Sequence, residues 1–329
     1  MTQQLSLFSG FDSSSPELVR PAQVPPEICA LAAALSPNIH LGTSSWSFPT
    51  WQGLVYADVH DESTLAHNGL HAYAQHPLLR SVGIDRTYYA PIQASDFVHY
   101  ASQVPEEFRF LVKAPAQCTS PWLRRDAIEA RPNPHFLDPD FARDAFVSPA
   151  RLGLGHKLGP LVFQFPPLSG WSRRAAEFAE RLHEFISRLP PGPLYAVELR
   201  DASLLSDVYM QALLDTGARH CIGLHPRQPA IQEQARLLGR LPAGPLIVRW
   251  NLHSGSAYEA ARRRYYPFTD LLEEDLPTRV GLARLCLDAV AAGQPAFVIA
   301  NNKAEGSAPL TLIKLATLIV EEHRAPAAS

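Results

Sequence analysis

Eight short apolar runs recur along the chain, and each ends abruptly in polar or charged residues. One spans residues 159–166, and the others begin near Leu41, Ser81, Phe108, Tyr195, Ala218, Pro245 and Pro295. The pattern is typical of buried parallel strands, because both of their faces are covered by other parts of the fold. Segments long enough for helices separate the runs, so the 329 residues predict an α/β fold, a TIM-like (β/α)8 barrel. Functional residues of such a barrel gather at the carboxyl ends of its strands.

The composition narrows the class of protein. A formal net charge of -3 argues against broad coating of nucleic acid but permits a local basic patch. The four cysteines are scattered without a Cys-x-x-Cys pair, which is typical of free thiols in a reducing cytoplasm. No apolar run is long enough to cross a membrane, and the N-terminus lacks the pattern of a secretion signal. We therefore expect a cytoplasmic protein with no membrane partner.

Charged residues at the ends of apolar runs are the first candidates for a functional site. Glu198 lies within the fifth run, and Lys113 ends the third. Asp85 lies within the second run, which predicts a strand from Val82 to Tyr89. A buried charge is costly unless it has a partner or a solvated opening. These three residues therefore predict a catalytic group at the barrel mouth, with Glu198 or Asp85 as general base or metal ligand. The alternative is a structural ion pair between Glu198 and Arg200 or Lys113.

Further polar and aromatic residues at strand ends predict substrate contacts. They are Trp46, Tyr88, Arg200, Arg249, Asn251, Asn301, Asn302 and Lys303. The arginines would hold an anion. The last three residues precede the N-terminus of the final helix, a region where many barrels bind phosphate. Trp46 either covers the mouth for binding or plugs it by packing.

Metal ligands are less clearly indicated. The metal-dependent apurinic endonucleases are barrels of similar outline whose sites use clusters of His, Asp and Glu. Near its strand ends this chain offers Asp85, Glu198, Asp201, His225 and His253. This set is too thin to predict a metal, so metal and cofactor stay unassigned.

A basic segment follows the seventh run. It contains Arg262, Arg263 and Arg264, with Tyr265 and Tyr266 directly after them. Cationic and aromatic side chains in this mixture suit phosphates and stacked bases, which predicts contact with nucleic acid. The alternative is a solvated basic face of a helix.

The N-terminal residues 1–37 predict a flexible tail, because serines and prolines there disfavour regular structure, and residues 38–329 predict the barrel. One apolar island, residues 4–8 (Gln-Leu-Ser-Leu-Phe), resembles the bacterial sliding-clamp-binding pentapeptide at every position. The resemblance predicts that Gln4, Leu5, Leu7 and Phe8 bind the DNA polymerase sliding clamp, with the apolar side chains in pockets. The alternative is that these residues dock on the barrel itself.

Several motifs together resemble the domain-of-unknown-function-72 (YecE-like) family across nearly everything after residue 38. They lie at residues 42–46, 51–53, 87–89, 108–115, 158–167, 197–200, 301–302 and 308–309. The resemblance implies a TIM-like barrel, in agreement with the strand count, but the family has no established activity. Its second strand usually carries Glu and Asn where this chain has Gly83 and Asp85. Any role of that glutamate would here be lost, or would pass to Asp85 or Glu198.

Two functions of different kinds follow from these observations. One is an enzyme that binds or processes a phosphate-bearing substrate, with nucleic acid in DNA replication or repair as a candidate, recruited by the sliding-clamp motif. The other is a non-catalytic DNA- or protein-binding module tethered to the clamp. A sugar isomerase or aldolase would rest on fold analogy alone. Convergence of Glu198, Lys113 and Arg249 in one open pocket would favour the enzyme.

Overall fold

The computed structural model describes residues 18–124, 130–168, 170–226, 228–252 and 258–324. Within them a parallel sheet curls into a nearly closed barrel. Its strands are β1 Ile39–Thr43, β2 Leu79–Ile84, β3 Arg109–Lys113, β4 Leu158–Phe165, β5 Tyr195–Leu199, β6 Arg219–His220 with Ile222–Leu224, β7 Leu246–Trp250 and β8 Ala296–Ala300. Each strand pairs with the next in the chain, and β8 pairs with β1. The prediction of a TIM-like barrel is confirmed.

The sixth strand is interrupted at Cys221, which is why the sheet contains nine strand segments. The segment before Cys221 pairs with β5, and the segment after it pairs with β7. The Cys221 amide still donates to the Val197 carbonyl at 2.8 Å. The interrupted strand therefore bridges the two edges of the sheet.

Helices surround the ring, and their amphipathic pattern explains their orientation. In Ala175–Ser187, for example, the buried residues Phe178, Leu182 and Phe185 recur at helical spacing and face the strands. The helices are α1 Pro26–Ala34, α2 Glu62–Asn68, α3 Leu70–Tyr73, α4 Ala94–Ser102, α5 Ala116–Thr119, α6 Pro139–Ala142, α7 Ser148–Leu154, α8 Ala175–Ser187, α9 Asp207–Thr216, α10 Ile231–Leu238, α11 Tyr258–Tyr265, α12 Leu276–Ala291 and α13 Ala308–Arg324. Two short antiparallel strands, Trp122–Arg124 and Ala130–Pro132, follow α5. Among the helices that the structure describes, none is long and apolar enough to cross a bilayer.

The barrel interior is apolar at its centre and polar at its carboxyl end. The central cluster consists of Leu111, Val162, Ala196, Cys221, Ile247, Phe297 and Ile299. Side chains of a strand alternate between faces, so residues two positions further along point the same way. Five of those seven positions carry polar residues, namely Lys113, Gln164, Glu198, Arg249 and Asn301. Strand register therefore places five polar side chains together above an apolar core.

The folded body begins well before residue 38, so the boundary expected from the sequence shifts towards the N-terminus. Val19 is buried, and the Arg20 guanidinium donates to the Asp58 carboxylate at 2.9 and 3.0 Å. Helix α1 then packs against α13. The contacts of Val19 and Arg20 were not expected, because the prolines of this segment hid its apolar anchor, whereas residues 27–35 do have the composition of a short helix. The clamp-like motif at residues 4–8 lies outside the described residues.

Candidate functional site

A cavity of about 210 Å³ opens at the carboxyl end of the barrel. Its lining consists of Asp85, Tyr88, Tyr89, Lys113, Gln164, Arg200, His225, Arg249, Asn251, Leu252, Asn301 and Lys303. Most of the residues predicted to bind substrate lie in this set, together with two of the three predicted catalytic residues. The strand ends thus bring together side chains that are far apart in sequence.

Arg249 lies at the bottom of the cavity and joins three strands or strand ends. One terminal nitrogen, Nη1, donates to Glu198 Oε2 at 2.6 Å and to Gln164 Oε1 at 3.1 Å. The other, Nη2, donates to both carboxylate oxygens of Asp85 at 3.0 Å. Burial alone would lower the pKa of Arg249, but the two carboxylates raise it. The guanidinium is therefore fixed in position and permanently charged.

Glu198 lies directly beneath the cavity and is fully buried. Its Oε1 accepts from Arg200 Nε at 3.2 Å, while Oε2 is held by Arg249. Burial alone would raise the pKa of Glu198, but the charges of Arg249 and Arg200 lower it overall. A carboxylate with both oxygens engaged, outside the cavity lining, is poorly placed to act as a general base. Glu198 therefore has the geometry of a buried structural ion pair, the alternative to a catalytic role, with Arg200 and Arg249 as its partners.

Asp85 stands at the cavity wall because β2 ends sooner than the sequence predicts. We expected the second strand to extend to Tyr89, but it ends at Ile84 and the chain turns through a short 3-10 segment, Arg86–Tyr88. Thr87 stabilises this turn by donating to the Ile84 carbonyl at 2.9 Å. The turn carries the Asp85 carboxylate to Arg249 and the Tyr88 ring to Lys113.

Lys113, the last residue of β3, projects its amine over an aromatic ring. Its Nζ lies 3.6 Å from the centroid of the Tyr88 ring. Burial lowers the pKa of Lys113 to about 7; Asp85 opposes this shift, and Arg249 and Arg200 add to it. The amine therefore exchanges its proton near neutral pH, unlike an exposed lysine.

The opposite rim of the cavity presents amides and a second lysine. Asn301 donates to Ser44 Oγ at 2.7 Å, and its Oδ1 accepts from the Lys303 amide at 3.0 Å. Burial and, to a smaller extent, the charge of Arg262 lower the pKa of Lys303 to about 8, while Asp85 and Glu259 oppose this shift. The basic helix α11 thus lies close enough to the Lys303 rim to influence its charge.

Two residues predicted to contact substrate, Trp46 and Asn302, lie outside the cavity lining. Trp46 is buried, and its indole nitrogen donates to the Leu65 carbonyl at 3.0 Å, so this tryptophan packs within the fold. Asn302 is buried as well, and its Oδ1 accepts from the Ala308 amide at 2.8 Å. The side chain of Asn302 therefore caps the N-terminus of α13, the position where the sequence predicts an anion.

Helix α11 carries the predicted nucleic-acid residues, and they divide into two sets. Arg262, Arg263 and Tyr266 are exposed. Arg264, also exposed, pairs with Glu273, and Tyr265 is buried with its hydroxyl bonded to the same carboxylate. A buried ring cannot stack on a base, so Tyr265 belongs to the structural set.

Four cavity residues were not predicted as site residues: Tyr89, Gln164, His225 and Leu252. Gln164 had a recognisable signal, because a polar residue between two phenylalanines of a buried strand needs a partner. His225 was considered as a metal ligand but not as a substrate contact, because a histidine beside a proline is typical of a turn. In the part of the chain that the structure describes, His, Cys, Asp and Glu side chains form no group of three able to hold a metal ion. His253, considered as a ligand, lies outside that part.

Comparison with known proteins agrees with the fold. A family model described as "Protein of unknown function DUF72" matches residues 40–329. The chain belongs to the DUF72 family. A DUF72 family protein from Enterococcus faecalis V583 has a TM-score of 0.59 and 19% sequence identity, covering 85% of this chain and 95% of its own. One from Thermotoga maritima MSB8 has a TM-score of 0.57 and 22% identity, covering 85% and 98%. No curated protein matches.

Gly83 marks where this chain departs from the sequence pattern that the DUF72 resemblance implies. A Cβ at this position would lie 3.2 Å from Ser44 Cα and 3.3 Å from Ile299 Cγ2. These distances leave little room for a longer side chain in the interior of this barrel. Two residues later, Asp85 supplies a carboxylate to the cavity lining and pairs with Arg249.

Proposed function

We propose that the mouth cavity binds a small phosphate-bearing compound. The observation that carries the proposal is an excess of positive charge around a small cavity. Lys113, Arg200, Arg249 and Lys303 face two carboxylates, Asp85 and Glu198. Positive charge is in excess around the cavity when Lys113 is protonated, although the whole chain carries -3. An anion would balance this excess.

Arg200 is the residue best placed to hold the phosphate. Its Nε is bound to Glu198, which fixes the side chain. Within the described chain, its two terminal nitrogens have no hydrogen-bond partner, and the residue lines the cavity. A guanidinium held at Nε and free at its ends matches the two-point geometry that arginine uses with phosphate.

Calorimetric titration with inorganic phosphate and with small phosphate esters tests this proposal. We expect saturable binding by the intact protein and a loss of at least about tenfold in affinity for Arg200→Gln, corresponding to about 1.4 kcal/mol. Arg284→Gln on the exposed face of α12 is the matched control and should bind as the parent does. Absence of heat, or equal affinity of the two variants, would rule the cavity out as a phosphate site.

A nucleic acid is a second candidate ligand, for which the position of α11 is the supporting observation. Arg262 and Glu259 of this helix both affect the pKa of Lys303 at the cavity rim, so α11 lies near the cavity, and its exposed residues Arg262 and Arg263 are the proposed contacts to phosphates. The double variant Arg262→Glu/Arg263→Glu should weaken binding of single-stranded DNA and reduce its salt dependence, whereas Arg284→Glu should not. If the double variant binds single-stranded DNA with an unchanged salt dependence, Arg262 and Arg263 do not contact the phosphates.

Recruitment to the sliding clamp is proposed from the motif at residues 4–8. The chain joins the fold at Val19, beside the loop that follows β1 on the mouth side of the barrel. Residues 1–15 as a peptide should bind a purified bacterial clamp with a Kd on the order of micromolar, and alanine at Leu7 and Phe8 should abolish binding. Clamp binding without ligand binding in the cavity would favour the non-catalytic module in DNA replication or repair.

A further inference from the structure

Lysine is scarce in this chain, and half of its lysines line one cavity. Among 29 Lys and Arg residues only four are lysines: Lys113, Lys157, Lys303 and Lys314. Lys113 and Lys303 both line the mouth cavity. The two residue types differ in chemistry, because an amine can lose its proton and become a nucleophile whereas a guanidinium keeps its charge.

The surroundings of Lys113 favour the neutral amine. Arg249 takes both oxygens of Asp85 and one of Glu198, and Arg200 takes the remaining oxygen. Among the described residues, no carboxylate therefore forms an ion pair with Lys113. Its side chain is 8% exposed, and its amine rests on the Tyr88 ring within the cavity wall. The lowered pKa of about 7 agrees with this arrangement.

We propose that Lys113 is a nucleophilic amine that forms an imine with the aldehyde or ketone group of a small anion held in the cavity. The inference rests on the proposed binding of an anion, because Arg200, which lines the same cavity as Lys113, would hold the charged end of the compound. The neutral Nζ attacks the carbonyl carbon, a C–N bond forms, and the carbonyl electron pair moves to oxygen. Both amine protons then leave with that oxygen as water, which gives the C=N bond without an oxidant or reductant.

The size and charge of the cavity define the class of carbonyl compound. A cavity of about 210 Å³ accepts only a small molecule, and its excess of cations selects a carboxylate or a phosphate. Glyoxylate and glyceraldehyde 3-phosphate represent the two anionic groups. Glycolaldehyde, which is uncharged, reports the reactivity of the amine without anion binding.

Reductive trapping tests the proposal on the full-length protein. Each probe is mixed with the protein and sodium cyanoborohydride near neutral pH, and the modified lysines are identified by peptide mass mapping. We expect Lys113 to be modified at least about tenfold faster than the exposed Lys314, since an ordinary lysine is almost fully protonated there. Inorganic phosphate should slow the reaction with the anionic probes. Equal rates at Lys113 and Lys314, or no adduct on Lys113, would overturn the proposal.

Two variants sharpen the result. Lys113→Arg carries a positive charge but cannot form an imine, so the adduct at position 113 should disappear and no adduct of comparable rate should appear on Lys303, whereas Lys314→Arg should leave the Lys113 adduct unchanged. Because the mapping is performed on the parent protein, the conclusion does not depend on how well Lys113→Arg folds. Phosphate titration of the same preparation separates the two proposals. Phosphate binding without a Lys113 adduct overturns the imine alone, while an adduct without phosphate binding overturns the phosphate site.

Discussion

Among single residues, Arg249 has the largest expected effect on stability. Two carboxylates, Glu198 and Asp85, depend on its guanidinium, and Glu198 is fully buried. Arg249→Met leaves a buried carboxylate with one partner fewer, so we expect a loss of about 3–5 kcal/mol in the free energy of unfolding. Chemical denaturation at neutral pH measures it. The exposed Arg240→Met is the control and should change stability by less than about 1 kcal/mol, the range of surface ion pairs. A comparably small loss for Arg249→Met would contradict the ion-pair network.

Lys113 makes stability depend on pH in a defined direction. Its pKa is about 7 in the folded protein, against an ordinary value of 10.5 for lysine. Between these values the unfolded chain binds more protons, so this residue adds stability as the pH rises and costs most below pH 7. Relative to Lys113→Met, the parent protein should therefore gain stability from neutral pH to pH 10, by at most about 1.4 kcal/mol per pH unit. Denaturation curves at several pH values measure the difference in the free energy of unfolding between the parent protein and Lys113→Met. A difference that does not change with pH, as expected for Lys314→Met, would contradict the lowered pKa of Lys113.

The sequence indicated which residues are unusual, but it did not indicate which residues they contact. Glu198 and Lys113 were recognisable because a charge inside an apolar strand needs an explanation. The pairing of Asp85 with Arg249 was not predictable, because these residues are 164 positions apart and meet only through the order of strands around the ring. The same limit applied to Trp46, whose partner Leu65 lies on a different element.

At the level of elements, α13 depends on a cap from outside the helix. Asn302 binds the Ala308 amide and is buried, so Asn302→Ala removes a hydrogen bond and leaves a buried amide unsatisfied. We expect a loss of about 1–3 kcal/mol. Thermal and chemical unfolding measure the loss, with the exposed Gln75→Ala as a control that should be nearly neutral. If Asn302→Ala and Gln75→Ala have the same free energy of unfolding, Asn302 does not stabilise the helix.

Helix α11 shows why an element's face cannot be assigned from composition alone. The sequence predicted its arginines and tyrosines as one surface. The structure divides them, because Tyr265 packs with Ala261 and Phe268 in a small buried cluster. Only the tertiary neighbours of the helix determine which of its aromatic rings are available to a ligand.

For the whole molecule, the N-terminal segment is expected to contribute to stability only where it is docked. Deletion of residues 1–17 preserves Val19 and the Arg20–Asp58 pair, whereas deletion of residues 1–24 removes both. The longer deletion should therefore be less stable than the shorter one by about 1.5–3 kcal/mol, the value of burying one valine. Denaturant midpoints of the two proteins provide the comparison. Equal midpoints would show that the docked segment adds nothing.

The overall architecture was predictable because it depends on repeated local signals. Eight apolar runs separated by helical segments are compatible with few sheet topologies. With right-handed connections between parallel strands, the eight strands can form a closed ring. The interruption of β6 at Cys221 had no such signal, since its sequence is as apolar as that of an unbroken strand. The early start of the fold was missed for a similar reason, because its anchor is a single valine among prolines.

The pairing of β1 with β8 also bears on how the chain is made. Ser44, just after β1, bonds to Asn301, just after β8, across 257 positions of sequence. A ribosome adding ~5–20 residues per second needs roughly 10–50 seconds to cover that interval. Throughout it, β1 lacks its final neighbour and offers one unpaired edge to other chains. Newly made copies are therefore most prone to associate wrongly during synthesis, and a chaperone that shields strand edges should raise the yield of folded protein more than one acting after release.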